Sequence, residues 1–299
     1  LVQRLAERRP DDAELCLVAA HAALDAGDEE AAARWLARAE RGPSPLGALE
    51  GARARLARHR GDLSAALEAS LRVLEVLPFD LGALIRHASL LDDARGPEAA
   101  VAFLDERHRR TPDDRDLTAE LCIRLRGHDD ARARELLRSQ VERQPQDMWS
   151  HRELSLALAR EGHLDEAIRH AEATVERFAE DASARSILGG LLEQAGEHER
   201  ARQALRRAVE LHIDDVHAIE RLGRLHGDPE RTREDARFVL DLLERRTSRG
   251  PGLVEAALLA RVLPHEERTS RLGRLLERCG HRPDAWEAVA RAEVDAGAL

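Results

Sequence analysis

Two kinds of helix-stopping mark alternate along this chain, and their spacing constrains the fold more than any other feature. Pro10, Pro43, Pro78, Pro112 and Pro145 recur every 33 to 35 residues, and Asp12, Asp80, Asp114, Asp147, Asp181 and Asp215 follow in the same frame. Proline lacks an N–H and clashes with the preceding turn, so it ends a helix. Aspartate accepts from the exposed N–H groups of a first turn, so it begins one. Midway between these marks stand Gly27, Gly61, Gly127, Gly162 and Gly196. Glycine suits the left-handed residue just beyond a helix C-terminus. The period is therefore helix A, tight turn, helix B, tight turn.

Counting from the residue after each aspartate gives seven repeats: 13–46, 47–80, 81–114, 115–147, 148–181, 182–215 and 216–250. The eighth position of helix A is always small: Ala20, Ala54, Ala88, Cys122, Ser155, Gly189 and Gly223. The start of helix B is small as well, at Ala32, Ala66, Ala100, Ala133, Ala167 and Ala201. Helices approach to about 8–10 Å only where the crossing point carries little side chain. Composition agrees with an all-α fold. Ala, Leu, Arg and Glu, all strong helix formers, dominate, and there is no Tyr. Lys and Asn are also absent, which points to a GC-rich, bacterial genome.

This pattern resembles the tetratricopeptide repeat, with its 34-residue period, small residues at positions 8 and 20, Gly at 15 and often Pro at 32. The repeat 182–215 fits best, with Leu188, Gly189, Gly196, Ala201 and Ala208 at positions 7, 8, 15, 20 and 27. The resemblance spans about residues 10–250 and implies a right-handed α-solenoid of antiparallel helix hairpins. Stability would then be a sum of local and nearest-neighbour terms. Departures are visible. Arg53 and His87 replace the usual Leu at position 7, and the seventh inner turn reads His226-Gly227-Asp228-Pro229. Residues 251–282 read as shortened, degenerate helices and the weakest part. Pro283-Asp284-Ala285-Trp286 begins a further repeat, with Trp286 where the family packs an aromatic between helices. Residues 1–9 read as the tail of a helix B. Both ends thus fall inside repeats, and a longer chain is expected.

Catalytic chemistry finds little support. The chain has no Gly-x-Ser-x-Gly elbow, phosphate loop or dinucleotide fingerprint. His265-Glu266-Glu267 lacks the second His of a zinc-protease string, and its acids suit a helix N-terminus. The Asp92-Asp93 and Asp129-Asp130 pairs lie at helix ends and read as caps. The fourteen His show no metal-ligand spacing. Cys16, Cys122 and Cys279 are widely separated and read as free thiols of a reducing compartment. No enzyme activity, metal or cofactor is expected. A net charge of −10 disfavours phosphate-backbone binding, and no apolar run is long enough for a membrane helix. A cytoplasmic setting is expected.

The resemblance implies a concave groove lined by helix A positions 2, 5, 9 and 12. These supply Arg55, Arg58, Arg126, Trp149, Arg152, Glu220 and Arg224, interrupted by Asp92 and Glu193. Such a surface is mostly basic and would favour an acidic peptide or helical segment. Trp149 and Arg152 are one turn apart and of types common at hot spots. The family's clamp for a terminal carboxylate needs Lys and Asn, so it is not carried over. Trp35 is placed over the inter-hairpin core, and Arg202 and Arg206 on the outer helix B surface, with Arg202 exposed. The leading reading is a protein-interaction scaffold. Its alternative is the non-catalytic repeat region of a larger enzyme, such as a peptidase. An RNA-binding repeat is disfavoured by the missing Asn and the negative charge.

Overall fold

The computed structural model describes residues 2–9, 11–225, 227–246, 248, 250–279, 286–287 and 289–292. Pro10, His226 and the expected helix start at Pro283-Asp284-Ala285 lie outside the described residues. Among those described, every regular element is helical. The chain divides into two compact units, residues 1–136 and 137–299.

In the first unit α1 (Val2–Arg8) precedes three hairpins. These pair α2 (Ala13–Asp25) with α3 (Glu29–Ala39), α4 (Leu46–His59) with α5 (Leu63–Val76), and α6 (Leu81–Arg95) with α7 (Pro97–Arg110). Then come α8 (Arg115–Leu125) and α9 (Asp130–Arg143), within which the unit boundary falls. Each hairpin packs on the next through α3 on α4, α5 on α6 and α7 on α8, while first helices stack as α2 on α4 and α6 on α8. The second unit pairs α10 (Met148–Arg160) with α11 (Leu164–Arg177), α12 (Ala182–Gln194) with α13 (His198–Leu211), and α14 (Val216–Arg224) with α15 (Pro229–Arg245). It continues through α16 (Pro251–Leu259), a 3-10 turn at Ala260–Val262, and α17 (His265–Cys279). Here α10, α12, α14 and α16 stack in order. Within each unit this is an all-α stack of antiparallel hairpins, an α-solenoid.

Hydrogen bonds at the turns explain why the marks are where they are. The Gly27 N–H donates to Leu24 O at 3.0 Å and the Asp28 N–H to Ala23 O at 2.9 Å, closing α2. The Asp28 carboxylate then accepts from Ala31 N at 2.8 Å, opening α3. Gly61 and Asp62 repeat the arrangement between α4 and α5. Gly27 has φ 74° and Gly61 φ 74°, the left-handed region that glycine enters without a Cβ penalty. The sequence ruler misses one such turn. Gly96, with φ 91°, stands between the last residue of α6 and the first of α7.

The small positions are buried for the stated reason. Ala20, Ala32, Ala66, Ala88, Ala100, Ala167 and Ala201 are all 0% exposed. A Cβ on Gly189 would lie 2.6 Å from Leu205 Cγ. Trp35 is buried in the first unit's core, with the Arg38 guanidinium 4.8 Å from its ring centroid. Each polar residue at position 7 has a partner. Arg53 pairs with Glu40 at 2.7 Å and with Glu50, a 2% exposed carboxylate that also receives Arg72 at 2.7 Å. His87 meets Ser70 Oγ through Nδ1 at 2.7 Å. The Ser70 proton goes to Leu67 O, so His87 Nδ1 is the donor. Burial, then Arg107 and Arg95, push the His87 pKa down to about 4. The second unit repeats the device. Ser155 donates to His151 O and receives His170 Nδ1 at 3.0 Å. Burial, then His151, push the His170 pKa down to about 4, against Glu166 and with Arg138.

Three expectations change. Arg202 is not an exposed outer-surface residue, since its side chain is 14% exposed and its Nε binds Asp235, itself 0% exposed, at 2.9 Å. Arg206 grips the same carboxylate at 2.6 Å. Stacking of successive B helices encloses them. The region after Pro251 is shortened only in α16, which has 9 residues, because α17 has 15. Trp286 is 56% exposed rather than packed between helices.

Candidate functional site

The first helices of the hairpins must present small residues inward, and what flanks those residues faces away from the hairpin. On α4 this places Gly47, Gly51 and Ala54 beside Arg55 and Arg58. Together with His21 of α2, Ser70 and Val73 of α5, and Ala83, Arg86 and Leu90 of α6, they line a cavity of about 550 Å³ in the first unit. Three arginines and no carboxylate line it. The matching acids stand at its rim. Arg55 pairs with Asp25, Arg58 Nη2 lies 2.6 Å from Asp93 Oδ2, and Arg86 Nη2 lies 3.6 Å from Asp80 Oδ1. Arg55 Nη1 also approaches His21 Nδ1 at 3.3 Å. Guanidinium only donates, so this His21 nitrogen accepts and the proton sits on Nε2. Burial and then Arg55 lower the His21 pKa, which keeps the ring neutral.

A second cavity, about 750 Å³, lies in the unit 137–299. Its charged lining is mostly acidic: Glu180, Asp181, Asp214 and Asp215 against Arg152. Most of these acids already serve the backbone. Asp181 accepts from Ala184 N at 2.7 Å and Asp215 from Ala218 N at 3.0 Å, capping α12 and α14. Asp214 accepts from Ser248 Oγ and from Gly252 N at 3.0 Å, fastening α16.

Of the residues expected in a groove, Arg55 and Arg58 meet in the first cavity and Arg152 lines the second. Trp149 is half-buried one turn before Arg152 on α10 and lines neither. Arg126 is the cap residue beyond α8, with ψ 124°, rather than part of the helix. Glu220 and Arg224 pair with each other at 2.8 Å, and Arg224 also lies 3.8 Å from Glu193. The basic tendency of the face is thus largely matched by carboxylates on neighbouring helices. His21, Gly51 and Arg86 were missed. His21 and Gly51 occupy positions 9 and 5, the same classes that supplied the arginines, but neither carries a charge that draws attention.

Among the described residues, no group of three or more His, Cys, Asp or Glu is placed to hold a metal ion, and no helix is long and apolar enough to cross a membrane. Cys16 and Cys122 are buried and form no disulfide, and Cys122 Sγ lies 3.7 Å from Ala133 O at the helix crossing.

Residues 152–216 match the family model described as Tetratricopeptide repeat. A search of curated protein sequences finds no relative. Solved structures give low-identity matches. A tetratricopeptide repeat protein from Parabacteroides merdae is 15% identical, covering 88% of this chain and 98% of its own, with a TM-score of 0.49. MamA from Desulfovibrio magneticus is 20% identical over 55% of this chain and 96% of its own, with a TM-score of 0.42. YrrB, described as a TPR protein with an unusual peptide-binding site, is 23% identical over 56% and 86%, with a TM-score of 0.40.

Proposed function

From the match of residues 152–216 to the tetratricopeptide-repeat model and the stacked hairpins, we propose that this protein is an interaction scaffold that receives an acidic peptide or helical segment of a partner on the helix A faces of its hairpins. One observation carries the reading: the cavity of the first unit is lined by three arginines and no carboxylate. A segment bearing carboxylates would share or replace Asp25 and Asp93, and would share Arg86 with Asp80, which stays on the first turn of α6. Arginine suits this role because its planar fork meets carboxylates in a bidentate way. Trp149 and Arg152 are a secondary contact pair in the second unit, with Arg126, Glu220 and Arg224 as outlying polar contacts.

The test is titration of the full chain with pools of short synthetic peptides, acidic and basic, followed by fluorescence anisotropy. Acidic peptides should bind, and more weakly as salt rises. Arg55→Glu should lower affinity by about tenfold or more, the loss expected when a charge pair becomes a like-charge contact. Trp149→Ala should cost about 2 kcal/mol if it is a hot spot. Equal binding of both pools, or no effect of Arg55→Glu, would defeat the proposal.

A further inference from the structure

Glycine inside a helix is destabilising relative to alanine, so an interior glycine asks for a packing reason. Gly189 has one, the Leu205 side chain 2.6 Å from its would-be Cβ. Gly190 has another, Arg221 at 2.9 Å. Gly51 has none. A Cβ there would meet nothing within 4 Å, although α4 runs unbroken from Leu46 to His59. The open space in front of it is the 550 Å³ cavity. Gly273 is equally open but borders neither cavity. The cavity lies within the range of about 300–1,000 Å³ usual for binding pockets. Its lining includes the apolar Ala54, Val73, Ala83 and Leu90 as well as the three arginines.

The apolar surface does not stop at the cavity. Leu77 Cδ1 stands 3.3 Å from the Cβ position of Gly47, which lines the same cavity. Beside it Leu46 is 54% exposed and Phe79 is 72% exposed. Ten large apolar side chains among the described residues are exposed; four of them, Leu71, Val76, Leu77 and Phe79, belong to the second repeat, and Leu46 immediately precedes it. Concentration of exposed apolar groups beside a pocket marks an interaction surface. The charge complement selects the partner. A lining of arginine without carboxylate disfavours a basic segment and favours an acidic one.

We infer that the segment bound by the first unit is amphipathic and acidic. A large apolar side chain inserts over Gly51, flanking carboxylates meet Arg55, Arg58 and Arg86, and a further apolar residue rests on Leu46, Leu77 and Phe79. This rests on the reading of the chain as a peptide-binding scaffold and adds the apolar anchor to it.

Two synthetic peptide series test the inference on the full chain: all-acidic peptides, and the same peptides with one central Leu or Phe. The anchored peptides should bind about tenfold tighter, as burial of one such side chain requires. Gly51→Leu sets its Cβ in open space, directs the rest of the side chain toward the cavity and favours the helix. It should keep the melting temperature, erase the anchored peptides' advantage, and leave the salt-dependent binding of all-acidic peptides. Gly51→Ala, a smaller plug, should reduce the advantage partly and serves if leucine disturbs the fold. A second apolar residue added to the anchored peptides should tighten binding further, and Phe79→Ser should remove only that increment. An advantage that survives both Gly51 variants, or no advantage in the wild type, overturns the inference while all-acidic binding keeps the scaffold reading. Failure of every acidic peptide to bind overturns both.

Discussion

The two cavities are built by the same repeat yet differ in what their charges are free to do. In the unit 1–136 the lining charges are arginines, and the carboxylates that match them sit at the rim. In the unit 137–299 acids dominate the lining, but Asp181, Asp214 and Asp215 are already held by backbone amides or a serine hydroxyl. A carboxylate that caps a helix cannot turn to a ligand without exposing the N–H groups it serves. Counting charges around a cavity therefore misjudges it. At the first cavity Arg55 and Arg58 can exchange Asp25 and Asp93 for a ligand's carboxylates, while Asp80, like the acids of the second cavity, caps a helix.

The largest effect expected from setting the units side by side is on acidification. His87 in the first unit and His170 in the second are each held near a pKa of about 4. An unfolded histidine titrates near 6.5, so between these values the unfolded chain binds more protons and stability rises with pH. The contribution is full above about pH 7 and is lost as pH falls toward 4, up to about 3 kcal/mol per site. Urea midpoints at pH 7.5 and pH 5 should show the loss, and His87→Leu should remove only the share that His87 contributes. An unchanged pH slope in that variant would mean that His87 is not the titrating group.

Next comes a contrast between glycines. Gly189→Leu drives a side chain into Leu205 and should cost roughly 1–3 kcal/mol, the usual range for overpacking. Gly51→Leu in the other unit should leave the melting temperature unchanged or raised. Equal losses would erase the distinction between a packing glycine and a cavity glycine. The smallest effect concerns buried carboxylates. Arg202→Ala leaves Asp235 with Arg206 and should cost about 1.5 kcal/mol, the lower end for a hydrogen bond to a charged group because Arg206 remains. Arg34→Ala, whose pair with Glu30 spans 3.9 Å at an exposed site, should cost nothing measurable. If both variants melt alike, enclosure of the Asp235 cluster contributes no stability.

Much of the fold could be read from residues that act on their immediate neighbours. Asp80 caps the helix that starts one residue later, and Gly61 closes the helix that ended two residues earlier. Gly96 escaped because α6 is one residue longer there and moves the glycine off the ruler. The site was half legible. Arg55 and Arg58 stood out by position and charge, but their partners Asp25 and Asp93 come from the hairpins on either side. Arg202 was misjudged for the same reason, since Asp235 is 33 residues away in sequence. Gly51 was invisible because its importance is the absence of anything above it, which only packing reveals.

The turn at Gly27 and Asp28 leaves no slack: one residue's amide finishes a helix while its carboxylate starts another. An extra residue inserted between them would strand a carbonyl on one side or an amide on the other. A hairpin of this kind resists changes in length far more than changes in number. A chain made this way can gain or shed whole links at its outer connections. Each link brings its own patch of surface, so the surface that such a protein offers can be rewritten one link at a time.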